Sequence, residues 1–268
     1  MNSFLEYVNS DRRAVRYGTV ILSLLAGAVI WELVGLSFNQ AIMAPLIGNE
    51  DHPGTLPRLY RYLFDDEEYI LSLIQSIQLF TTGFVLALVV AIPSGIILAR
   101  MITLRIALET YILALYVTPM IALIPFILSI LGFDFWPKVL VVYLFAFFPI
   151  LYNTLEGARS VKPELLEVAK SFRSSEFAIW RDILVPYTLP YALTGIRQAA
   201  GRALVGMVAA EFFLSTSGLG EELITASRNF DMAGVLATIL VITCLGVSFM
   251  RIAQAFEQKY AGWRGLDR

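Results

Sequence analysis

The chain has 268 residues, 57% of them hydrophobic and only 16% charged, where soluble domains run at about 45–50% and about 25%. Its 20 basic and 22 acidic residues leave a net charge of −2, which supplies no positive field for nucleic acid. A single cysteine, Cys244, and a single histidine, His52, exclude an internal disulfide framework and leave too few soft ligands for a zinc or haem site. Lipid is the solvent that suits this composition, and residues 1–268 read as one all-α, polytopic membrane domain.

A bilayer core of about 30 Å takes roughly 20 apolar residues per helix. The first such run covers residues 18–36 and contains one acid, Glu32. Arg12, Arg13 and Arg16 precede it and no small-residue cleavage site follows, so it reads as a retained span and not a removed leader. An outer segment with Pro53 and Pro57 then ends in Asp65, Asp66, Glu67 and Glu68, suited equally to docking a partner and to solvating the surface. The second run, 69–99, is longer than a span needs and implies tilt or an aqueous extension. Along it Gly83, Ala87, Ala91, Gly95 and Ala99 fall four apart, a stripe that lets another helix approach closely. The third run, 107–131, holds Pro119 and Pro125, with Glu109 near its edge, and the fourth, 139–155, holds Pro149. With Pro93 these prolines invite kinks, frequent in transporters but not confined to them.

A segment of more than 30 residues, 157–190, separates the fourth run from the fifth. Pro163 suits the first turn of a helix, after which Leu165, Val168, Ala169 and Phe172 recur at helical spacing, with Glu164, Glu167 and Lys170 on the other side. Ser174 and Ser175 break the pattern, and a second short helix over 176–184 leads through Pro186 and Pro190 into the next run. The apolar ridge needs a cover, and loops of its own chain or the groove of another protein serve equally.

The fifth run, 191–213, repeats the small-residue stripe at Gly195, Ala199 and Ala203, then Gly206 and Ala210. It also carries Arg197, Arg202 and Glu211, and ionisable residues inside spans are functional candidates by default. Snorkelling to the surface accounts for Arg197 as well as a place on a solute path does. Glu211 lies at the outer end, where it can pair with another helix. Arg202 is the deepest and suits either an anionic substrate or an interhelical ion pair. The sixth run, 233–256, completes six spans. Aromatics near the span ends, among them Trp31, Tyr69, Trp136, Tyr187 and Trp263, suit interfacial anchoring.

With both termini inside, the cytoplasmic flanks hold 14 basic residues and the outer ones four: Arg58, Arg61, Lys138 and Arg228. That asymmetry predicts cytoplasmic termini and a cytoplasmic 157–190 segment. The chain has no G-x-x-x-x-G-K-S/T phosphate loop, no H-E-x-x-H and no G-x-S-x-G, so no catalytic residue, metal or cofactor is expected on it. An ion-coupled secondary transporter and a transporter driven by separate ATPases both fit kinked spans with charges inside; a membrane-embedded enzyme does not.

The run Glu167-Val168-Ala169-Lys170-Ser171-Phe172-Arg173-Ser174-Ser175, followed by Ile183-Leu184-Val185-Pro186, resembles the EAA loop of binding-protein-dependent ABC importer permeases. Ala122-Leu123-Ile124-Pro125-Phe126, Phe148-Pro149-Ile150, Asn153-Thr154, Leu189-Pro190, Gly195-Ile196-Arg197, Ala210-Glu211 and Gly218-Leu219-Gly220 are similar to the nitrate/sulfonate/taurine/bicarbonate branch, in order over residues 69–263. The resemblance implies an inner-membrane permease that works as a pair, a homodimer here, with one path between the copies. It implies two cytoplasmic ATPase subunits that bind the ATP, each accepting the short loop helix in a groove, and an extracytoplasmic binding protein that delivers a small anionic or sulfonate-like solute. Carried onto this chain, Leu165, Glu167, Val168, Ala169 and Phe172 would form the coupling helix, and Asn153, Arg197, Arg202 and Glu211 are the candidates for the path. Arg173 stands where the family usually has a glycine that permits a sharp, positive-φ turn. A secondary transporter has no use for such a loop.

Overall fold

The computed structural model describes residues 2–39, 41–49, 52–214 and 217–261, with side chains over 17–39, 41–49, 52–213 and 217–259. The side chains of Arg12, Arg13 and Arg16, and residues Trp263, Arg264 and Arg268, on which parts of the charge count and the anchoring set rest, lie outside the described residues. Helix follows helix, with no strand among the described residues. The long helices are α1 (Asn2–Ser37), α3 (Glu67–Arg100), α6 (Phe135–Arg159), α9 (Val185–Leu214) and α11 (Met232–Ala261). Shorter ones are α2 (Thr55–Phe64), α4 (Ile102–Val117), α5 (Met120–Leu131), α7 (Pro163–Ser171), α8 (Glu176–Ile179) and α10 (Leu219–Arg228). The chain divides into two compact units, Met1–Ile70 with Leu223–Leu240, and Leu71–Glu222 with Val241–Arg268.

In the first unit, the single acid of the first span has a structural task. Glu32 accepts the backbone N–H groups of Ile47 and Gly48 at 2.8 and 3.1 Å, and the neighbouring Trp31 Nε1 donates to the Ala44 carbonyl at 3.0 Å. Together they fasten the loop that returns from α1. In α2, Arg58 forms an ion pair with Asp231, and the Tyr62 ring stacks on Tyr69 at 4.2 Å. Asp231 also caps α11 by accepting the Gly234 N–H at 3.0 Å.

The second unit is organised about α6, which lies between α3 and α9. Both small-residue stripes meet it: a Cβ on Gly83 would fall 2.6 Å from Val142 Cβ, and one on Gly206 would fall 2.7 Å from the Phe145 ring. Ala87, Ala91, Ala199 and Ala203 are fully buried in the same core, with Ala146, Ile150 and Met207. Close approach of backbones, and the dispersion contacts it permits, is what these stripes supply in lipid.

Among the described residues four helices are long and apolar enough to cross a membrane: Tyr17–Ser37, Glu67–Arg100, Phe135–Arg159 and Met232–Lys259. The third expected span is not one helix but two, α4 and α5, bent by 98°. Pro119 is the cause. It forces Thr118 into an extended conformation (φ −62°, ψ 133°), which ends α4, and itself caps α5. Pro93, Pro125, Pro149 and Pro190, by contrast, stay inside their helices. The fifth expected span forms a helix of 30 residues, yet its three charges and small polar residues keep it below the same standard of apolarity. Lys138, counted above as an outer-flank cation, lies in the second turn of α6 and is only 5% exposed.

Candidate functional site

α7 begins at Pro163, whose missing N–H would be unpaired there anyway. Its apolar stripe splits in two. Ala169, 8% exposed, packs with Val161, Ile179 and Leu184 of its own chain, so it belongs to the fold and not to an outward ridge. Leu165, Val168 and Phe172, at positions i, i+3 and i+7, stay bare, and Phe172 is 81% exposed. Glu167 and Lys170 flank them in solvent. Cover from its own chain thus reaches Ala169 and leaves Leu165, Val168 and Phe172 bare.

The turn after α7 closes on paired backbone bonds. Arg173 N–H donates to the Lys170 carbonyl at 2.9 Å and Ser174 N–H to the Ala169 carbonyl at 3.0 Å, with Arg173 at φ +52°. This is a Schellman cap, whose left-handed residue is ordinarily glycine. The arginine therefore keeps the turn and bears its strain. Arg173→Gly should raise stability by about 1 kcal/mol, read as a higher unfolding temperature in detergent. An unchanged or lower temperature would show that the arginine side chain compensates for the strain.

Ser175 then caps α8 by accepting the Ala178 N–H at 3.2 Å, and a π-helical turn, Trp180–Leu184, runs without a break into α9. Pro186 and Pro190 therefore sit in the opening turns of α9 and do not interrupt it. Arg100 at the end of α3 pairs with Glu176 at 2.7 Å, tying the loop to the helical body. The adjacent Arg181 and Asp182 pair at 2.7 Å, and the hydrogen bond from Arg181 holds the Asp182 carboxyl below its usual range. Phe177, 73% exposed, is a further bare aromatic beside this segment. It stood outside the helical spacing used above because it follows the turn.

The charged residues of the fifth span separate into three settings. Arg197 pairs with Glu257 of α11 at 3.3 Å, and Thr194 donates to the same carboxylate at 3.0 Å. That ion pair takes Arg197 away from Arg202. Arg202 packs on Tyr116, its guanidinium carbon 4.7 Å from the ring centre, and Nη2 donates to the Tyr116 hydroxyl at 3.4 Å. Tyr116 in turn stacks on Tyr152 at 5.3 Å. Among the described residues Arg202 has no carboxylate partner. It lines an apolar cavity of about 270 Å³ with Tyr116, Pro119, Phe145, Phe148 and Pro149, at the break between α4 and α5. Asn153, one turn along α6, donates to the Pro149 carbonyl at 2.8 Å and to Gln198 at 3.4 Å. Glu109, near the edge of the third span, is held by Arg159 at 2.8 Å.

Glu211, 1% exposed, pairs with another helix as expected, but the partner is a hydroxyl. Its carboxylate accepts from Ser76 of α3 at 2.7 Å and from the Gly220 N–H at 3.0 Å, while the Leu219 N–H reaches Ser76 Oγ at 2.8 Å. Gly218, at φ +93°, has no room for a Cβ: it would lie 2.2 Å from the Glu211 carboxylate. The two motifs Ala210-Glu211 and Gly218-Leu219-Gly220 are thus one clasp in space. Tyr116, Tyr152 and Lys138, which the structure places beside these residues, are not among the candidates above. Tyrosines at helix edges are indistinguishable from interfacial anchors in a sequence, whereas a lone lysine following Trp136 and Pro137 in an apolar flank was a usable signal.

Known proteins are similar to this chain in sequence. Residues 91–262 match the sequence profile of the binding-protein-dependent transport system inner membrane component. A protein of Methanocaldococcus jannaschii named as an ABC transporter permease is 32% identical over 89% of each chain. A Bacillus subtilis protein named as an aliphatic sulfonates transport permease is 29% identical over 93% of this chain and 89% of its own. A nitrate import permease of Leptolyngbya laminosa is 24% identical over 90% of this chain and 92% of its own. The chain belongs to the family of binding-protein-dependent transport system inner membrane components, the polytopic permeases of ABC transporters.

Proposed function

We propose that the chain is the permease subunit of an ATP-driven importer for a small anionic or sulfonate-like solute, delivered by an extracytoplasmic binding protein. Two copies would enclose the path, with both termini and the α7–α8 loop in the cytoplasm. Two ATPase subunits would bind the ATP and grip Leu165, Val168 and Phe172. The observation that carries this reading is that bare ridge: three apolar side chains in a row, on a helix closed by a Schellman cap, in a loop that the Arg100–Glu176 pair ties to α3, with no lipid-length run to bury them in. Such a surface fits helix-in-groove recognition. The relatives named for sulfonate and nitrate transport, together with Arg202 in its aromatic cavity, support an acidic solute.

The test is uptake by the reconstituted complex in proteoliposomes. Uptake should require ATP and be indifferent to ionophores; ionophore-sensitive uptake by this chain alone would replace the reading with an ion-coupled carrier. Arg202→Gln should keep assembly and lower solute turnover by at least tenfold, since one charge-assisted hydrogen bond is worth about 1.5–3 kcal/mol. Wild-type turnover in that variant would remove Arg202 from the path.

A further inference from the structure

At the end of the second unit remote from the coupling ridge lies another cavity. α6 begins beside it and runs 25 residues towards the loop, and α9 returns from the loop to end beside it. Gln75 and Gln78 of α3, Lys138 of α6, Glu211 of α9 and Ser217 line about 240 Å³, with Phe135 as an apolar wall. The Lys138 ammonium is buried and donates to Ser217 Oγ at 3.1 Å. A buried ammonium is costly without a countercharge, and Glu211 and Glu221 both attract it. The Glu211 carboxylate is itself engaged by Ser76 and Gly220, so it helps to neutralise Lys138 without filling the space. Beside that engaged carboxylate the cavity presents an ammonium, two carboxamides and a hydroxyl, a donor set suited to oxygens that carry negative charge. A cationic occupant would meet Lys138 head on.

The same helix face continues towards Arg202. Lys138, Phe145, Pro149 and Asn153 follow one another at intervals of seven, four and four residues, and Phe145 and Pro149 also line the Arg202 cavity. We propose that the Lys138 cavity is an outer binding site for the oxyanion head of the solute, occupied before the Arg202 cavity. This rests on the import reading above, which puts this end of α6 on the outer side. Lys138 makes the contact; Glu211 and Glu221 balance its charge when the site is empty.

The probe is nitrate or ethanesulfonate, added to the permease in nanodiscs with 15N-labelled lysine. The chain has four lysines, 138, 162, 170 and 259, and Lys138→Arg identifies the relevant signal by removing it. The Lys138 Nζ resonance should move saturably with either oxyanion, at a concentration at least tenfold below that needed with chloride, while the other three stay still. No movement, or an equal response to chloride, overturns the site. In the full complex, Lys138→Met should raise the half-saturating concentration of binding-protein-delivered solute at least tenfold, and Lys138→Arg should restore most of it. Wild-type uptake by both variants would sink this site alone, whereas absence of ATP-dependent uptake by the wild type would sink the import reading. Should Lys138→Met not fold, the resonance shift decides.

Discussion

Phe172→Asp is expected to abolish ATP-dependent uptake and to strip the ATPase subunits from the purified complex, while leaving the permease as stable as before. Burying a phenylalanine in a groove contributes about 1.5–3 kcal/mol, a factor of roughly 10–150 in affinity. Placing a carboxylate in that apolar groove adds its desolvation, so the loss should exceed the upper figure. Nothing in the isolated chain opposes the change, because the side chain is 81% exposed. The unfolding temperature should therefore move by no more than a surface substitution moves it. Leu165→Ala and Val168→Ala should weaken the contact less, and Ala169→Asp should fail differently, by unfolding the loop whose core it occupies. Co-purification of the ATPase in wild-type yield with Phe172→Asp would end the docking assignment.

Glu211→Leu should be the most damaging single change within the second unit. It removes the acceptor for Ser76 and for the Gly220 N–H and takes away one of the two carboxylates, with Glu221, that attract the buried Lys138 ammonium. Removing a buried, hydrogen-bonded carboxylate that also attracts a buried ammonium costs about 3–5 kcal/mol, which corresponds to a fall of order 10 °C in unfolding temperature for a chain of this size. Glu211→Gln keeps an acceptor oxygen and should fall between. Thermal unfolding in detergent, followed by tryptophan fluorescence, measures both. An unchanged transition in Glu211→Leu would mean that the clasp is ornamental and that the turn after α9 is held by other contacts.

The two expectations differ in how far a linear reading could reach them. Phe172 was identifiable because exposure on a charged, helix-length segment is a local property: spacing alone puts Leu165, Val168 and Phe172 on one face. Ala169 shared that spacing and went the other way, since burial depends on where Ile179 and Leu184 return after the turn. Glu211 was recognisable as a costly charge but not as a clasp. Its partners come from Ser76, 135 positions away, and from a glycine turn whose closure needs a φ of +93° at Gly218. Depth along the span was the difference that the sequence offered between Arg197 and Arg202. Glu257 separates them, taking the first into an ion pair while the second meets Tyr116.

The sequence by itself determined the solvent, the helical class, the stripes along which helices approach and the loop that projects from the membrane body. These follow from composition and from periodicities of a few residues, which neighbours in the chain enforce. Tertiary structure decided where the third span breaks, which cation lines which cavity and which apolar side chains remain bare. Those outcomes depend on groups far apart in sequence competing for the same buried space. Only the packed backbone sets which of them reaches a partner.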